Sequence, residues 1–144
     1  MWGEGQVLIN NTRLICFGSC ALACEALKNI VLSGVSFISI IDDKICSEQD
    51  LKENFFVERA DISKKTLRAE AVLARILELN EDCKGEFLNF SIKNFLENEG
   101  INLQTYDIIL SSNNNNVKIS IFSIYKFYLN FLLIKKSINH ESIN

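Results

Sequence analysis

Two positions in this chain have residue types and spacing that suggest chemistry. One is Gly18, at the head of Gly18-Ser19-Cys20-Ala21-Leu22-Ala23, and the other is Asp42, further along. A glycine-rich turn between a strand and a helix lets backbone N–H groups approach a phosphate. An acid closing the next strand accepts hydrogen bonds from a ribose hydroxyl. Together they make a nucleotide site. The full turn would read Gly-x-Gly-x-x-Gly, and here Gly18 alone is kept, with Cys20 at the second position and Ala23 at the third. Cys20 places a side chain where phosphate would lie, whereas Ala23 is still small enough for close helix–strand packing. A single glycine also serves an ordinary strand–turn–helix, so the turn by itself is a weak sign of ATP binding.

The elements around these residues are those that would position them. Leu14–Phe17 is a short apolar run without helical period and reads as a buried strand. Leu22, Ala23, Ala26, Leu27, Ile30 and Val31 recur at helical spacing, and Gly34 stands at the expected stop. Phe37–Ile41 is a second strand, ending in Asp42 and Asp43. Strand, helix and parallel strand form a βαβ unit with a right-handed crossover. Downstream the pattern predicts a helix over Lys64–Leu79, with Leu67, Val72, Leu73, Ile76 and Leu77 on one face. A strand over Glu86–Phe90 is opened by Gly85. Ser91 is set to cap a helix over Ile92–Asn98, and a strand follows over Tyr106–Leu110. An Asn-rich loop is expected over 111–117 around Asn113–Asn116. The tail, 118–144, is expected to be a divergent helix to about Tyr128 followed by a buried strand, Phe131–Ile134. This alternation specifies one α/β domain: Rossmann-like, three-layer αβα, with a mostly parallel sheet covered on both faces.

Composition narrows the function classes. A chain of 144 residues with 48% hydrophobic and 23% charged content has the balance of a soluble globular domain. A net charge of −3 offers no basic face to nucleic acid. The apolar tail is interrupted by Lys118, Lys126 and Asn130, which argues against a membrane span. Five cysteines without a Cys-x-x-Cys pair, and a single histidine, His140, indicate structural, reduced thiols in cytoplasm and/or nucleus, with no metal site. Met1-Trp2-Gly3-Glu4 is no signal peptide. Phe55-Phe56 is read as core or interface filling.

Several motifs in one order carry a family resemblance: Trp2-Gly3-Glu4-Gly5-Gln6, then ALKNIVLSGV, FISIID, DLKENFF and LRAEAV…ELN. They resemble the adenylation domains (ThiF/MoeB fold) of the ubiquitin-activating enzyme superfamily, from Trp2 to about Ser111. Within it the chain is most similar to the regulatory, amyloid-precursor-binding subunits of neddylation-activating enzymes. Those subunits also lack the glycine turn, place Asn before Phe-Phe, and carry a segment like Asn94-Phe95-Leu96-Glu97-Asn98. The regulatory subunit of the sumoylation-activating enzyme is the runner-up, but it usually keeps its glycines and a Gln-Phe-Leu segment. A free-standing ThiF/MoeB-like adenylyltransferase and an NAD-binding domain are further alternatives.

The resemblance implies a degenerate nucleotide site made of Gly18, Asp42, Arg59 and Arg68. Asp42 matches the ribose acid, and Arg59 matches the phosphate-holding arginine after Phe-Phe. Arg68 replaces the phosphate-binding lysine before Ala-Glu, keeping charge but not the compact ammonium. Active halves hold magnesium with an aspartate after the fourth strand, where this chain has Ser111-Ser112. The implied chain has no catalytic residue and no metal ligand, and it binds no cofactor. ATP and magnesium would sit in a catalytic activating subunit, the heterodimeric partner, which adenylates a ubiquitin-like modifier. Family members also carry an arginine just before Trp-Gly and continue past the fifth strand. The expectation is therefore a truncated, N-terminal part of a pseudo-adenylation domain.

Overall fold

The computed structural model describes residues 11–98, 105–112 and 117–121. The apolar runs form five strands: β1 (Arg13–Phe17), β2 (Phe37–Ile41), β3 (Lys84–Leu88), β4 (Ile108–Ser112) and β5 (Val117–Ile121). They make one sheet in the order β3-β2-β1-β4-β5. The first four are parallel, and β1 is central, with Leu14 registered against both Ile38 and Ile108. β5 runs antiparallel to β4. Helix α1 (Ala21–Leu32) joins β1 to β2. Helices α2 (Glu48–Glu53), α3 (Arg59–Ser63) and α4 (Arg68–Leu77) lie between β2 and β3, and α5 (Ile92–Asn98) follows β3.

Strand side chains alternate between faces, and so the sheet has two cores. On one face Leu14, Cys16, Ile38, Ile40 and Leu110 pack against Ala23, Cys24, Leu27 and Val31 of α1 and Ala69, Val72, Leu73 and Ile76 of α4. On the other, Ile15, Phe17, Ile41 and Ile109 meet Phe95 of α5, whose ring lies 5.9 Å from that of Phe17. The fold class is the expected one: Rossmann-like αβα with a mostly parallel sheet. Ser91 caps α5 as its type suggested, its hydroxyl accepting the Asn94 N–H at 3.1 Å.

Four boundaries differ from the sequence reading. The helix expected from Lys64 starts at Arg68, because Lys65 turns the chain at φ 54° and Leu67 forms an antiparallel bridge with Ile45. β3 and β4 each lie two residues from their expected positions, which puts Gly85 inside β3 and Ser111-Ser112 at the end of β4. The start of the tail, expected as helix, is β5. Val117, Ile119 and Ile121 alternate with Lys118 and Ser120 at the period of a strand, and the apolar run that follows hid that alternation. Residues 111, 112 and 117, expected in the loop, are strand residues. Of the phenylalanine pair, Phe56 is buried and Phe55 is 83% exposed. Trp2–Gln6, Asn113–Asn116 and Phe131–Ile134 lie outside the described residues. Among the described residues no helix is long and apolar enough to cross a membrane.

A charged staple fixes α3 to α4. Arg75 donates through Nη1 to Asp61 at 2.6 Å and to the Phe56 carbonyl at 2.6 Å, and through Nη2 to Glu58 at 3.0 Å. Burial works against ionisation of Asp61, but the bonds from Arg75 and from the Glu58 N–H outweigh it and hold the carboxyl below its ordinary range. A depressed folded value stabilises the protein above the unfolded pKa, and the gain disappears as pH falls through the folded one. Asp61→Asn is therefore expected to cost about 1–3 kcal/mol at neutral pH, the worth of hydrogen bonds to a charged group. Its deficit relative to wild type should shrink below about pH 4. Urea unfolding of both proteins from pH 7 to pH 3 checks this, and a deficit that does not change with pH would refute it.

Candidate functional site

The carboxyl ends of the parallel strands bring Gly18, Asp42 and Ser112 to one edge of the sheet. Ligands of open parallel sheets bind at that edge, where the strand order reverses, here between β1 and β4. Gly18 sits at that point with φ +90°. A Cβ on it would meet Ser112 Oγ at 2.9 Å and the Ser112 carbonyl at 3.3 Å, so glycine is required by both conformation and space. Its N–H donates to the Ile41 carbonyl at 2.8 Å, and its own carbonyl accepts from Cys16 Sγ at 3.1 Å. Ser19 is buried. Its N–H and Oγ both donate to Asp42 Oδ2, at 3.0 and 2.5 Å. Its carbonyl accepts from Cys24 Sγ and from Asn54 Nδ2, at 3.3 and 3.1 Å. These polar groups of the turn are directed into the protein.

Arg68, the first residue of α4, completes the site. Its N–H donates to the Lys44 carbonyl at 2.8 Å. Its guanidinium reaches three partners: Asp42 Oδ2 through Nε (3.0 Å) and Nη2 (2.8 Å), Ser19 Oγ through Nε (3.2 Å), and Asp50 Oδ1 through Nη1 (3.1 Å). Burial disfavours its charge, but the carboxylates of Asp42 and Asp50 more than restore it. Asp50 is fixed in turn by a capping box at the start of α2: its Oδ2 accepts from Ser47 N–H and Oγ, and Ser47 Oγ accepts the Asp50 N–H.

Asp42 also accepts the Lys44 N–H on Oδ1 at 3.1 Å, which brings its carboxylate to five hydrogen bonds. A carboxylate offers about four lone-pair sites. Four of the five fall on Oδ2, which is crowded with donors, and the residue is only 5% exposed. A ribose hydroxyl would find Oδ2 taken and only the second lone pair of Oδ1, beside the Lys44 N–H, to donate to. The charges point the same way, since one guanidinium between two carboxylates leaves a net negative site, unfavourable for a triphosphate. At the end of β4, Ser111 and Ser112 offer only neutral oxygens, poor ligands for magnesium. Among the described residues no group of three or more His, Cys, Asp or Glu side chains is placed to hold a metal ion. The residues present do not fit a bound Mg-ATP.

Of the four positions singled out in the sequence, the fold brings Gly18, Asp42 and Arg68 together. Arg59 stands apart, its side chain 65% exposed and paired with Glu48 at 2.6 Å. Sequence reasoning missed Ser19, Asp50 and Asn54. Asp50 had a signal, because Ser47-x-x-Asp50 is a capping-box pattern that fixes its place in the first turn of α2. Asn54 had only its position before Phe55-Phe56; in the fold it ties the end of α2 to the Ser19 carbonyl and the Phe56 N–H.

A family model described as the ThiF family matches residues 2–121. The chain belongs to the ThiF family. Among curated relatives it is 32% identical to a NEDD8-activating enzyme E1 regulatory subunit of Caenorhabditis elegans, an alignment covering 94% of this chain and 25% of the relative. It is 29% identical to the Nedd8-activating enzyme E1 regulatory subunit of Drosophila melanogaster, over 93% of this chain and 25% of that protein. The ThiF-family segment described here thus spans about a quarter of the length of these relatives. Among solved structures, E. coli tRNA N6-threonylcarbamoyladenosine dehydratase in complex with ATP superposes with a TM-score of 0.65 at 14% identity, covering 78% of this chain and 45% of that one. That likeness establishes the fold alone.

The four buried thiols of this ThiF-family chain are poor nucleophiles. Burial pushes Cys16 well above the ordinary thiol value, Cys24 up to about 12, Cys46 up to about 11, and raises Cys83 as well. A neutral thiol neither attacks a carbonyl nor binds metal readily.

Proposed function

We propose that this chain is the non-catalytic half of a heterodimeric activating enzyme for a ubiquitin-like modifier, of the neddylation type. In this reading ATP and magnesium belong to a catalytic partner subunit, and the chain supports adenylation of the modifier without carrying it out. One observation carries the reading: the Asp42 carboxylate, the ribose acid by position, is buried and engaged within the protein by Arg68 and Ser19 on Oδ2 and by Lys44 on Oδ1. The relatives named as regulatory subunits support the class of assembly. Buried, unpaired cysteines support a reducing compartment, cytoplasm or nucleus.

The expected result is twofold. Calorimetric titration of Mg-ATP into the chain should show no binding tighter than about 1 mM, a level worth only about 4 kcal/mol. Mixed with the catalytic subunit of a neddylation-type activating enzyme, the chain should form a stable complex, and modifier-dependent ATP–pyrophosphate exchange should need that subunit. Micromolar ATP affinity, or exchange by this chain alone, would make it an enzyme in its own right. Failure to bind any such subunit would remove the regulatory role.

A further inference from the structure

The acceptors around the Arg68 guanidinium are arranged as a receptor whose occupant is covalently attached. The walls come from three separate segments: the turn (Ser19), the end of β2 (Asp42) and the first turn of α2 (Asp50). A fourth segment, the start of α4, supplies Arg68. Its planar guanidinium sends Nε and Nη2 to Asp42, Nε also to Ser19 Oγ, and Nη1 to Asp50, with the side chain 15% exposed. Such a fork matches carboxylates in a way an ammonium cannot. Arg68 is moreover the first residue of α4, where truncating the side chain to alanine leaves the helix's own hydrogen bonds intact and keeps a good helix former.

We propose that the Arg68 guanidinium is an internal ligand of the former nucleotide site, and that the site without it is a receptor for a free guanidinium cation. The occupant organises what a bound nucleotide would otherwise organise, namely the turn, the β2 carboxylate and the helix starts around them. The domain is therefore ordered without any small molecule. This inference concerns only the residues around Asp42 and does not depend on which partner the chain has.

The test is chemical rescue of the whole chain, read as a melting temperature. Arg68→Ala should melt on the order of 10 °C below wild type, since it leaves two buried carboxylates facing each other without their cation. Guanidinium chloride at about 10 mM should raise the melting point of Arg68→Ala by a few degrees and saturate, as a ligand bound only by the folded state does. Sodium chloride or urea at the same concentration should not, and wild type should not respond. Adding Asp42→Asn to Arg68→Ala should abolish the rescue. If Arg68→Ala melts with wild type, or if guanidinium shifts both proteins alike, the side chain is mere packing and the proposal is overturned. Should Arg68→Ala not fold, Arg68→Lys decides: charge without the fork should still lower the melting point by several degrees, and a lysine variant as stable as wild type is the refuting result. None of these outcomes bears on partner binding, so the proposal and the regulatory reading stand or fall separately.

Discussion

Asp42→Ala is expected to destabilise the chain by about 3–5 kcal/mol, the cost of removing one partner from a buried ion pair. The loss is large because Asp42 serves three groups at once. Arg68 would keep only Asp50 and the Ser19 hydroxyl, and the Ser19 N–H and hydroxyl and the Lys44 N–H would lose their shared acceptor. Against a total stability of about 5–15 kcal/mol, such a loss leaves a marginal fold. Urea unfolding measures it. The double variant Asp42→Leu with Arg68→Met should recover much of the deficit, because replacing both charges with apolar groups removes the orphaned cation. A cycle that instead adds the two single losses, or an Asp42→Ala change within about 1 kcal/mol of wild type, would show that the pair is not coupled in the folded state.

Gly85→Ala is the second large effect, on the order of 2–3 kcal/mol of overpacking. A Cβ at this position would lie 2.8 Å from Leu73 Cδ1, 2.9 Å from Ile38 Cγ1 and 2.9 Å from the Ile38 carbonyl. The leucine tip can swing away. The carbonyl cannot, because Ile38 and Gly85 are paired across the β2–β3 ladder. Alanine in a strand ordinarily gains about 0.5–1 kcal/mol over glycine, so a net loss isolates the clash. Combined with Leu73→Ala, which itself leaves a cavity worth about 2–5 kcal/mol, the double variant should lose less than the sum of the two. Strict additivity, or a neutral Gly85→Ala, would mean that α4 does not press on the sheet at this point.

The architecture was legible where period and punctuation agreed. Leu14–Phe17 and Phe37–Ile41 are compact apolar runs bounded by turn residues, and both are strands; Ser91 announced its helix. The reading failed where two elements share one apolar stretch. Val117–Ile121 alternates as a strand, yet the residues after it are so uniformly apolar that a helical average hides the alternation. At the site, single positions were readable and their partnership was not. Gly18 and Asp42 follow from the βαβ pattern. That Arg68 reaches Asp42 rather than a phosphate depends on the bridge between Ile45 and Leu67, which sets the start of α4 beside the end of β2. No local pattern encodes that contact. Arg59, next to the same Phe-Phe segment, had as good a claim by type and turned out to serve a surface ion pair.

The place of β1 has a consequence for how the chain is made. Its first partner, β2, follows within one helix, but its second is β4, whose Ser112 hydroxyl donates to the Phe17 carbonyl across a separation of 95 residues. At translation speeds of about 5–20 residues per second, that separation is roughly 5–20 s. During this interval β2 can pair along one side of β1, but the N–H and C=O groups along its other side, between Leu14 and Phe17, are open to any competing strand. The Gly18 turn, wedged against Ser112, is completed only at the end of it. The nascent chain is therefore open to mispairing at its central strand through that interval, when a holding chaperone would protect it.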